Sequence, residues 1–260
     1  MDDFTLFYAW QSDTDAKINR FLIRDAAKKA LNQLVTDSVL EESPRLDSDT
    51  QNVGGTPEIA STIFSKIDKA GLFLADVTFI GKSDDNDSLP NSNVLLELGY
   101  AAARIGWPRT ILVMNTAFGP PENLLFDLRH RRWPITYHLE LNLNEVIKEQ
   151  KKKLVVEFKN AIQAAAQEEH AATLNAISRL DSNCLQWMTT LGNEDWFTPP
   201  PRKTYAEVWG NQAVDNALIR LLEIGILRCD VNPTEGKYAY HWTYFGKLVL
   251  YYLELRQPQK

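Results

Sequence analysis

The chain has 260 residues, of which 44% are hydrophobic and 24% are charged, and its formal net charge is -6. This composition is ordinary for a globular protein, and it argues against a broadly basic nucleic-acid-binding protein. The length predicts two compact units, and no apolar run approaches the roughly 18 to 20 residues that a membrane-spanning helix needs.

The beginning of the chain and its cysteines predict a cytoplasmic protein. The first residues, Met1-Asp2-Asp3-Phe4, include no basic segment and no long apolar stretch, so we expect no signal peptide and no membrane association. Cys184 and Cys229 are far apart and lack the spacing of metal ligands. This spacing predicts two reduced thiols and no metal site.

Strand and helix patterns alternate along residues 1–170, which we interpret as one α/β domain that includes a long C-terminal helix. Buried strands are predicted at residues 4–10, 71–78, 110–115 and 135–139, with a weaker strand near 45–47. The alternation predicts a five-stranded parallel sheet with helices on both faces, and a flavodoxin-like order is the simplest arrangement. Ligands bind at the carboxyl ends of the strands in such sheets.

Two carboxylates are the main functional lead. Asp76 ends a predicted buried strand and should lie at the carboxyl edge of the sheet. Asn91 or Asn93 can cap the following helix, and Glu97 lies one turn beyond Asn93. In a flavodoxin-like order, residues 10–13 at the end of the first strand would lie close to Asp76 and Glu97.

Three polar segments leave alternatives open. Ser12 and Asp13 follow the first strand and would either cap the next helix or face a ligand. Gly54 and Gly55 precede a helix start, a pattern that favours a structural turn over a phosphate site. The acidic segment 81–88 lacks the spacing of a calcium-binding loop and is predicted to be a solvent-exposed loop.

Residues 171–260 follow a different pattern and are predicted to form a second domain. The predicted order is helix, helix, β-hairpin and helix, as in a winged-helix module, with helices over 174–191, 204–209 and 214–225 before the hairpin. Nine Lys and Arg residues are balanced by nine Asp and Glu residues. Because phosphate neutralisation supplies much of the affinity for DNA, we favour contact with protein or a regulatory role over DNA reading.

Six short blocks, which fall within about the first 140 residues, carry a family resemblance; they lie at 7–13, 46–50, 55–60, 75–78, 91–101 and 126–129. The most specific block is Asn-Ser-Asn-Val-Leu-Leu-Glu-Leu-Gly-Tyr-Ala at 91–101, in which Ser92 replaces an expected proline. Together the blocks resemble the bacterial family of predicted nucleotide-binding proteins with a TIR-like (Toll/interleukin-1 receptor-like) domain. The resemblance does not cover the C-terminal part.

This resemblance implies a fold similar to that of nucleoside 2-deoxyribosyltransferases, and chemistry at an N-glycosidic bond, often that of NAD+. Many bacterial members of the family act in anti-phage defence. NAD+ would be a substrate, so no cofactor is expected, and Glu97 would stabilise or trap the oxocarbenium-like sugar. The residues expected to bind the substrate are Trp10, Ser12, Asp13, Asp49, Asp76, Asn91 and Asn93.

Other functions remain compatible with the same residues. The chain could be a nucleotide-sensing module without turnover, a nucleoside deoxyribosyltransferase, or a ligand-responsive DNA-binding regulator. As partners we expect a nucleotide ligand, and either a second copy of the chain or another defence component bound through the C-terminal domain.

Overall fold

The computed structural model describes residues 4–37, 44–48, 58–82, 88–130, 133–140, 144–192, 194, 196–198, 211–231 and 238–256. Backbone contacts divide the chain into two compact units, residues 2–167 and 168–260. In these described ranges, none of the helices combines the length and the apolar character that crossing a bilayer requires.

A five-stranded sheet forms the centre of the larger unit, and all of its strands are parallel, as predicted. The strands of this unit are β1 (Thr5–Ala9), β2 (Arg45–Asp47), β3 (Leu72–Asp76), β4 (Phe79–Lys82), β5 (Ser88–Pro90), β6 (Thr110–Asn115) and β7 (Ile135–Tyr137). The sheet order is β2-β1-β3-β6-β7. The α/β class and the parallel sheet are therefore confirmed.

Helices cover both faces of this sheet. They are α1 (Arg20–Thr36), α2 (Ile59–Lys69), α3 (Ser92–Arg104), the short α4 (Phe126–Arg129) and α5 (Asn144–Ser178). Successive strand residues point to opposite faces. Leu6 and Leu74 pack with α1 and α5, whereas Phe7 and Phe73 pack with α2 and α3. The strands are apolar on both faces because each face is covered.

The prediction of a continuous exposed loop over residues 81–88 is wrong at both ends of that segment. β4 and β5 form an antiparallel pair in which Lys82 lies opposite Ser88. The pairing satisfies backbone hydrogen bonds, and the buried side chain of Phe79 anchors β4 to the core. Residues 83–87 lie outside the described residues.

The smaller unit has its own core. After the end of α5, its elements are α6 (Ser182–Leu191), β8 (Trp196–Phe197), α7 (Asn211–Glu223), β9 (Leu227–Val231), β10 (Tyr238–Trp242) and α8 (Tyr244–Arg256). β10 lies between β8 and β9 and is antiparallel to both. Trp187, Leu221, Ile226 and Val249 lie in the buried cluster that these elements enclose.

One predicted helix of the smaller unit is divided in two. The interpretation of residues 174–191 as a single helix is wrong because α5 ends at Ser178 and α6 begins at Ser182. Asp181 caps α6, and its side chain accepts the backbone N–H of Cys184 at 2.9 Å. The helix predicted at 204–209 lies outside the described residues.

Candidate functional site

An open cavity of about 370 Å³ lies at the carboxyl edge of the parallel sheet in the larger unit. Its described lining comes from the end of β1 and the loop that follows, from the first half of α2 and from the beginning of α3. This is the edge at which open α/β sheets bind ligands.

Several of the residues predicted to form the site come together at this cavity. Those that line it are Trp10, Ser12, Asn91, Asn93 and Glu97. Asp13 lies beside them, because its Oδ2 accepts a hydrogen bond from Asn91 Nδ2 at 2.8 Å. Asp49 lies outside the described residues.

Gln11, which the sequence analysis did not single out, shapes the loop after β1. Its Oε1 accepts the backbone N–H groups of Asp13 at 2.6 Å and of Thr14 at 3.1 Å. Its Nε2 donates to Thr14 Oγ1 at 2.7 Å. This nearly buried amide therefore fixes the loop that presents Trp10 and Ser12 to the cavity. The signal in the sequence is a glutamine placed between a buried strand and a run of turn-forming residues.

Asn91 joins that loop to the start of α3. Its Oδ1 accepts the backbone N–H groups of Asn93 at 2.9 Å and of Val94 at 3.2 Å, so Asn91, rather than Asn93, is the N-cap residue. Its Nδ2 donates to Asp13 at the same time. One side chain therefore positions both the loop and the helix that carries Glu97.

Trp10 is held at the cavity by a cation–π contact. The guanidinium carbon of Arg20, at the start of α1, lies 3.1 Å from the centroid of the Trp10 ring. The Trp10 side chain is half-buried and lines the cavity. The site therefore contains a positioned aromatic ring beside its polar groups.

An apolar wall faces these polar groups. It is formed by α2 residues that include Ile63 and Phe64, and by Leu96 of α3. Phe64 stacks on Tyr100 with ring centroids 4.2 Å apart, and the Tyr100 hydroxyl donates to Asp68 at 3.1 Å. These contacts join α2 to α3, two of the helices that line the cavity.

Asp76 does not appear among the described lining residues of the cavity, although it ends β3 as predicted. It shares a strand face with Leu72 and Leu74, which pack towards α1. Asn19 Nδ2 donates to Asp76 Oδ2 at 3.4 Å, and the Thr78 backbone N–H donates to Oδ1 at 3.1 Å.

The carboxyl group of Asp76 is fully buried, and this burial raises its pKa. Hydrogen bonds from Thr78, Asn19 and Gln11 act in the opposite direction, since they favour the ionised form. Gln11, whose amide holds the loop after β1, thus also favours the ionised form of Asp76.

A buried polar network continues from Asp76, and the sequence analysis did not predict it. Asn115 Nδ2 donates to Asn19 Oδ1 at 3.0 Å and to the Leu139 carbonyl oxygen at 2.9 Å. The Tyr137 hydroxyl donates to the Ile18 carbonyl oxygen at 2.9 Å. The Tyr8 hydroxyl is buried and has no hydrogen-bond partner among the described residues. The network therefore holds Ile18 and Asn19, the two residues before the start of α1.

Comparisons with known proteins give no family for the chain: no protein-family model matches it, and no curated protein matches it. Within the described ranges, no three or more His, Cys, Asp or Glu side chains form a group that could hold a metal ion.

Proposed function

We propose that the larger unit cleaves the N-glycosidic bond of NAD+ or of a related nucleotide. The observation that carries this proposal is that Glu97 lines the same cavity as Trp10, Ser12 and Asn93. The strand order β2-β1-β3-β6-β7 supports a flavodoxin-like, TIR-like fold. The sequence block at residues 91–101 supports the same family.

The proposed chemistry is the departure of a base from an anomeric carbon. As the C–N bond breaks, its electron pair leaves with nicotinamide and positive charge develops on the sugar. The Glu97 carboxylate stabilises this charge or forms a covalent adduct, and water then attacks the anomeric carbon. Ser12 and Asn93 supply hydrogen bonds for the ribose, and Trp10 offers a stacking surface.

The test is the release of nicotinamide from NAD+, measured by chromatography for the full chain and for Glu97→Gln. We expect the variant to lose at least about 100-fold in rate, because it keeps the size of the side chain and loses its charge. Glu58→Gln is the matched control, since Glu58 is exposed, precedes α2 and makes no capping hydrogen bond through its side chain. This control should keep the wild-type rate.

The other outcomes separate the remaining functions. Ligand binding that weakens in Glu97→Gln, with no product from wild-type protein, would favour a nucleotide sensor. Products that join the sugar to an added nucleobase would favour a deoxyribosyltransferase. Equal rates for wild type and Glu97→Gln would contradict the role of Glu97.

For the smaller unit we propose a winged-helix-like regulatory or interaction module. Its helices and its antiparallel β9-β10 pair, which is followed by α8, support this assignment. The module would contact another protein or a second copy of the chain. Measurement of molar mass by light scattering, for the full chain at several concentrations, tests self-association.

A further inference from the structure

Most of the polar residues that are buried in this chain belong to a single network. Among the described residues, six Asn, Gln, Asp and Thr residues are buried. Five of them are joined by hydrogen bonds: Gln11, Asn19, Asp76, Thr78 and Asn115. Because a buried polar group that loses its partner is costly, the members of such a network hold one another in place.

Four of these residues close a ring at the carboxyl end of β3. Asn19 Nδ2 donates to Asp76 Oδ2 at 3.4 Å, and the Thr78 N–H donates to Asp76 Oδ1 at 3.1 Å. Asn115 completes the ring, since its Nδ2 donates to Asn19 Oδ1 and its backbone N–H donates to Thr78 Oγ1, both at 3.0 Å. All four residues are fully buried. The ring therefore fixes the position of the Asp76 carboxyl group.

Gln11 joins this ring to the cavity. It follows β1, is 2% exposed and lies among the described lining residues of the cavity. β1 and β3 are neighbouring parallel strands, so Gln11 and Asp76 follow them at the same edge of the sheet. A hydrogen bond from the Gln11 side chain reaches Asp76, while Gln11 Oε1 accepts the N–H groups of Asp13 and Thr14. One amide thus contacts both the buried carboxyl group and the loop.

We propose that Asp76 is a positioning residue, which acts through Gln11 to hold the loop after β1 in the conformation that forms the cavity. Asp76 is not among the described lining residues, so its effect on a ligand is indirect. The loop presents Trp10 and Ser12, and its order therefore sets the affinity of the cavity. This inference rests on the proposed function only in taking the cavity as the ligand site.

The first test measures the order of the loop without any ligand. Hydrogen exchange of the full chain is followed by mass spectrometry on peptides that cover residues 11–16. Since Gln11 protects the amide hydrogens of Asp13 and Thr14, we expect Asp76→Ala to speed exchange in these peptides by at least about fivefold. Unchanged exchange in this variant would overturn the proposal.

Val77→Ala is the matched control for this measurement. Val77 is the next residue after Asp76 and is equally buried, but it packs in the cluster that α3 helps to form. Its truncation destabilises the same end of β3 and leaves Gln11 untouched. Loop exchange should therefore stay at the wild-type rate. Equal acceleration by Val77→Ala and Asp76→Ala would mean that loss of stability alone opens the loop, which contradicts the proposal.

A second substitution, Gln11→Met, shows whether Asp76 acts through Gln11. It removes the amide that contacts Asp76 and keeps an unbranched side chain of similar length. If the proposal holds, Asp76→Ala produces no further acceleration of loop exchange in the Gln11→Met background. The same acceleration in both backgrounds would show that Asp76 stabilises the fold in general, and the proposal would fail.

A reciprocal measurement needs no substitution at Asp76, so it decides the matter even if Asp76→Ala does not fold. The hydrogen bond from Gln11 favours the ionised carboxylate, and its removal in Gln11→Met should raise the pKa of Asp76. The carboxyl carbon resonance of Asp76, followed by NMR as a function of pH, gives this pKa in both proteins. An unchanged pKa would show that the two side chains are not coupled and would refute the proposal.

The outcomes also separate this inference from the proposed function. If loop exchange responds as expected and NAD+ is not cleaved, the proposed function fails and the inference holds. If NAD+ is cleaved and loop exchange is the same in Asp76→Ala as in wild type, the proposed function holds and the inference fails. Where NAD+ is cleaved, Asp76→Ala should raise KM more than it lowers kcat, because the loop supplies binding groups and Glu97 lies on α3. A loss in kcat alone would contradict this role for Asp76.

Discussion

At the scale of single residues, Asp76 is unusual because a carboxyl group is seldom buried completely. Its carboxyl group is wholly buried, and burial outweighs the hydrogen bonds from Thr78, Asn19 and Gln11, so its pKa lies above the usual value of 3.8. The folded protein therefore binds this proton more tightly than the unfolded chain does. Linkage then makes the stability of the larger unit depend on pH.

We expect the larger unit to lose stability as the pH rises from about 4 through the raised pKa of Asp76. The slope for one such group reaches at most about 1.4 kcal/mol per pH unit. Asp76→Asn cannot titrate and can still accept the Thr78 N–H, so it should flatten this slope. Urea unfolding between pH 4 and pH 8 measures both proteins, and identical slopes would contradict the role of Asp76.

The sequence could locate the residues of the site better than it could orient them. Glu97 and Asn91 follow from a helix start with a capping asparagine, and both line the cavity. Asp76 was expected beside them; it ends β3 as predicted, but its carboxyl group is fully buried and is not among the described lining residues. Gln11 was missed because its bonds to Asp13 and Thr14 depend on a loop conformation that composition does not specify.

At the scale of whole elements, the strands of the parallel sheet could be predicted from the sequence. Helices cover both faces of the sheet, so these strands are short, continuous apolar runs. The β4-β5 pair could not be predicted from the sequence, since the polar residues from Lys82 onwards resemble a loop. The pairing depends on contacts between residues that are several positions apart in the chain. The break between α5 and α6 within residues 174–191 could not be predicted either. In the sequence, Asp181 cannot be told from any other polar residue of a helix. Its role as the N-cap of α6 depends on the hydrogen bond that its side chain accepts from the Cys184 N–H.

A glycine-to-alanine substitution is expected to change the free energy of unfolding in opposite directions in α3 and in α8. A Cβ atom at Gly99 in α3 would meet no atom within 4 Å, whereas a Cβ at Gly246 in α8 would overlap the carbonyl oxygen of Ile226. Gly99→Ala should stabilise the protein by about 0.5–1 kcal/mol through higher helix propensity. Gly246→Ala should destabilise it by about 1–3 kcal/mol, because a backbone atom must move.

Urea unfolding of both glycine variants, followed by circular dichroism, measures these two changes. Since each is a glycine-to-alanine change inside a helix, propensity alone predicts the same sign for both. Stabilisation by Gly246→Ala would show that α8 and Ile226 do not approach each other as closely as the structure places them.

At the scale of the whole molecule, the described residues form two buried clusters in the larger unit and a separate one in the smaller unit, whose charges are largely balanced. Arg220 of α7 pairs with Asp181 at 2.7 Å, and Arg228 pairs with Asp230 at 3.3 Å. Each such pair reduces the positive charge that α7 and the β9-β10 pair could offer to a phosphate backbone. This balance of charge is our reason for proposing a protein partner, rather than DNA, for the smaller unit.

We expect no salt-dependent affinity for duplex DNA, measured by fluorescence anisotropy of a labelled duplex at low salt. Asp181→Asn is the informative variant, since asparagine can still cap α6 and the charge opposite Arg220 is lost. This variant should also fail to bind. Tight binding of wild-type protein that weakens steeply with added salt would instead support a DNA-bound regulator.

The order in which the chain is synthesised has a consequence for the cavity. All of its described lining residues lie between Tyr8 and Glu97, whereas β6 and β7 follow at Thr110–Asn115 and Ile135–Tyr137. A nascent chain emerging from the ribosome therefore exposes every one of those residues while one edge of β3 still lacks its neighbour, β6. A ligand present during translation meets the parts of its site before the sheet that shapes them is complete.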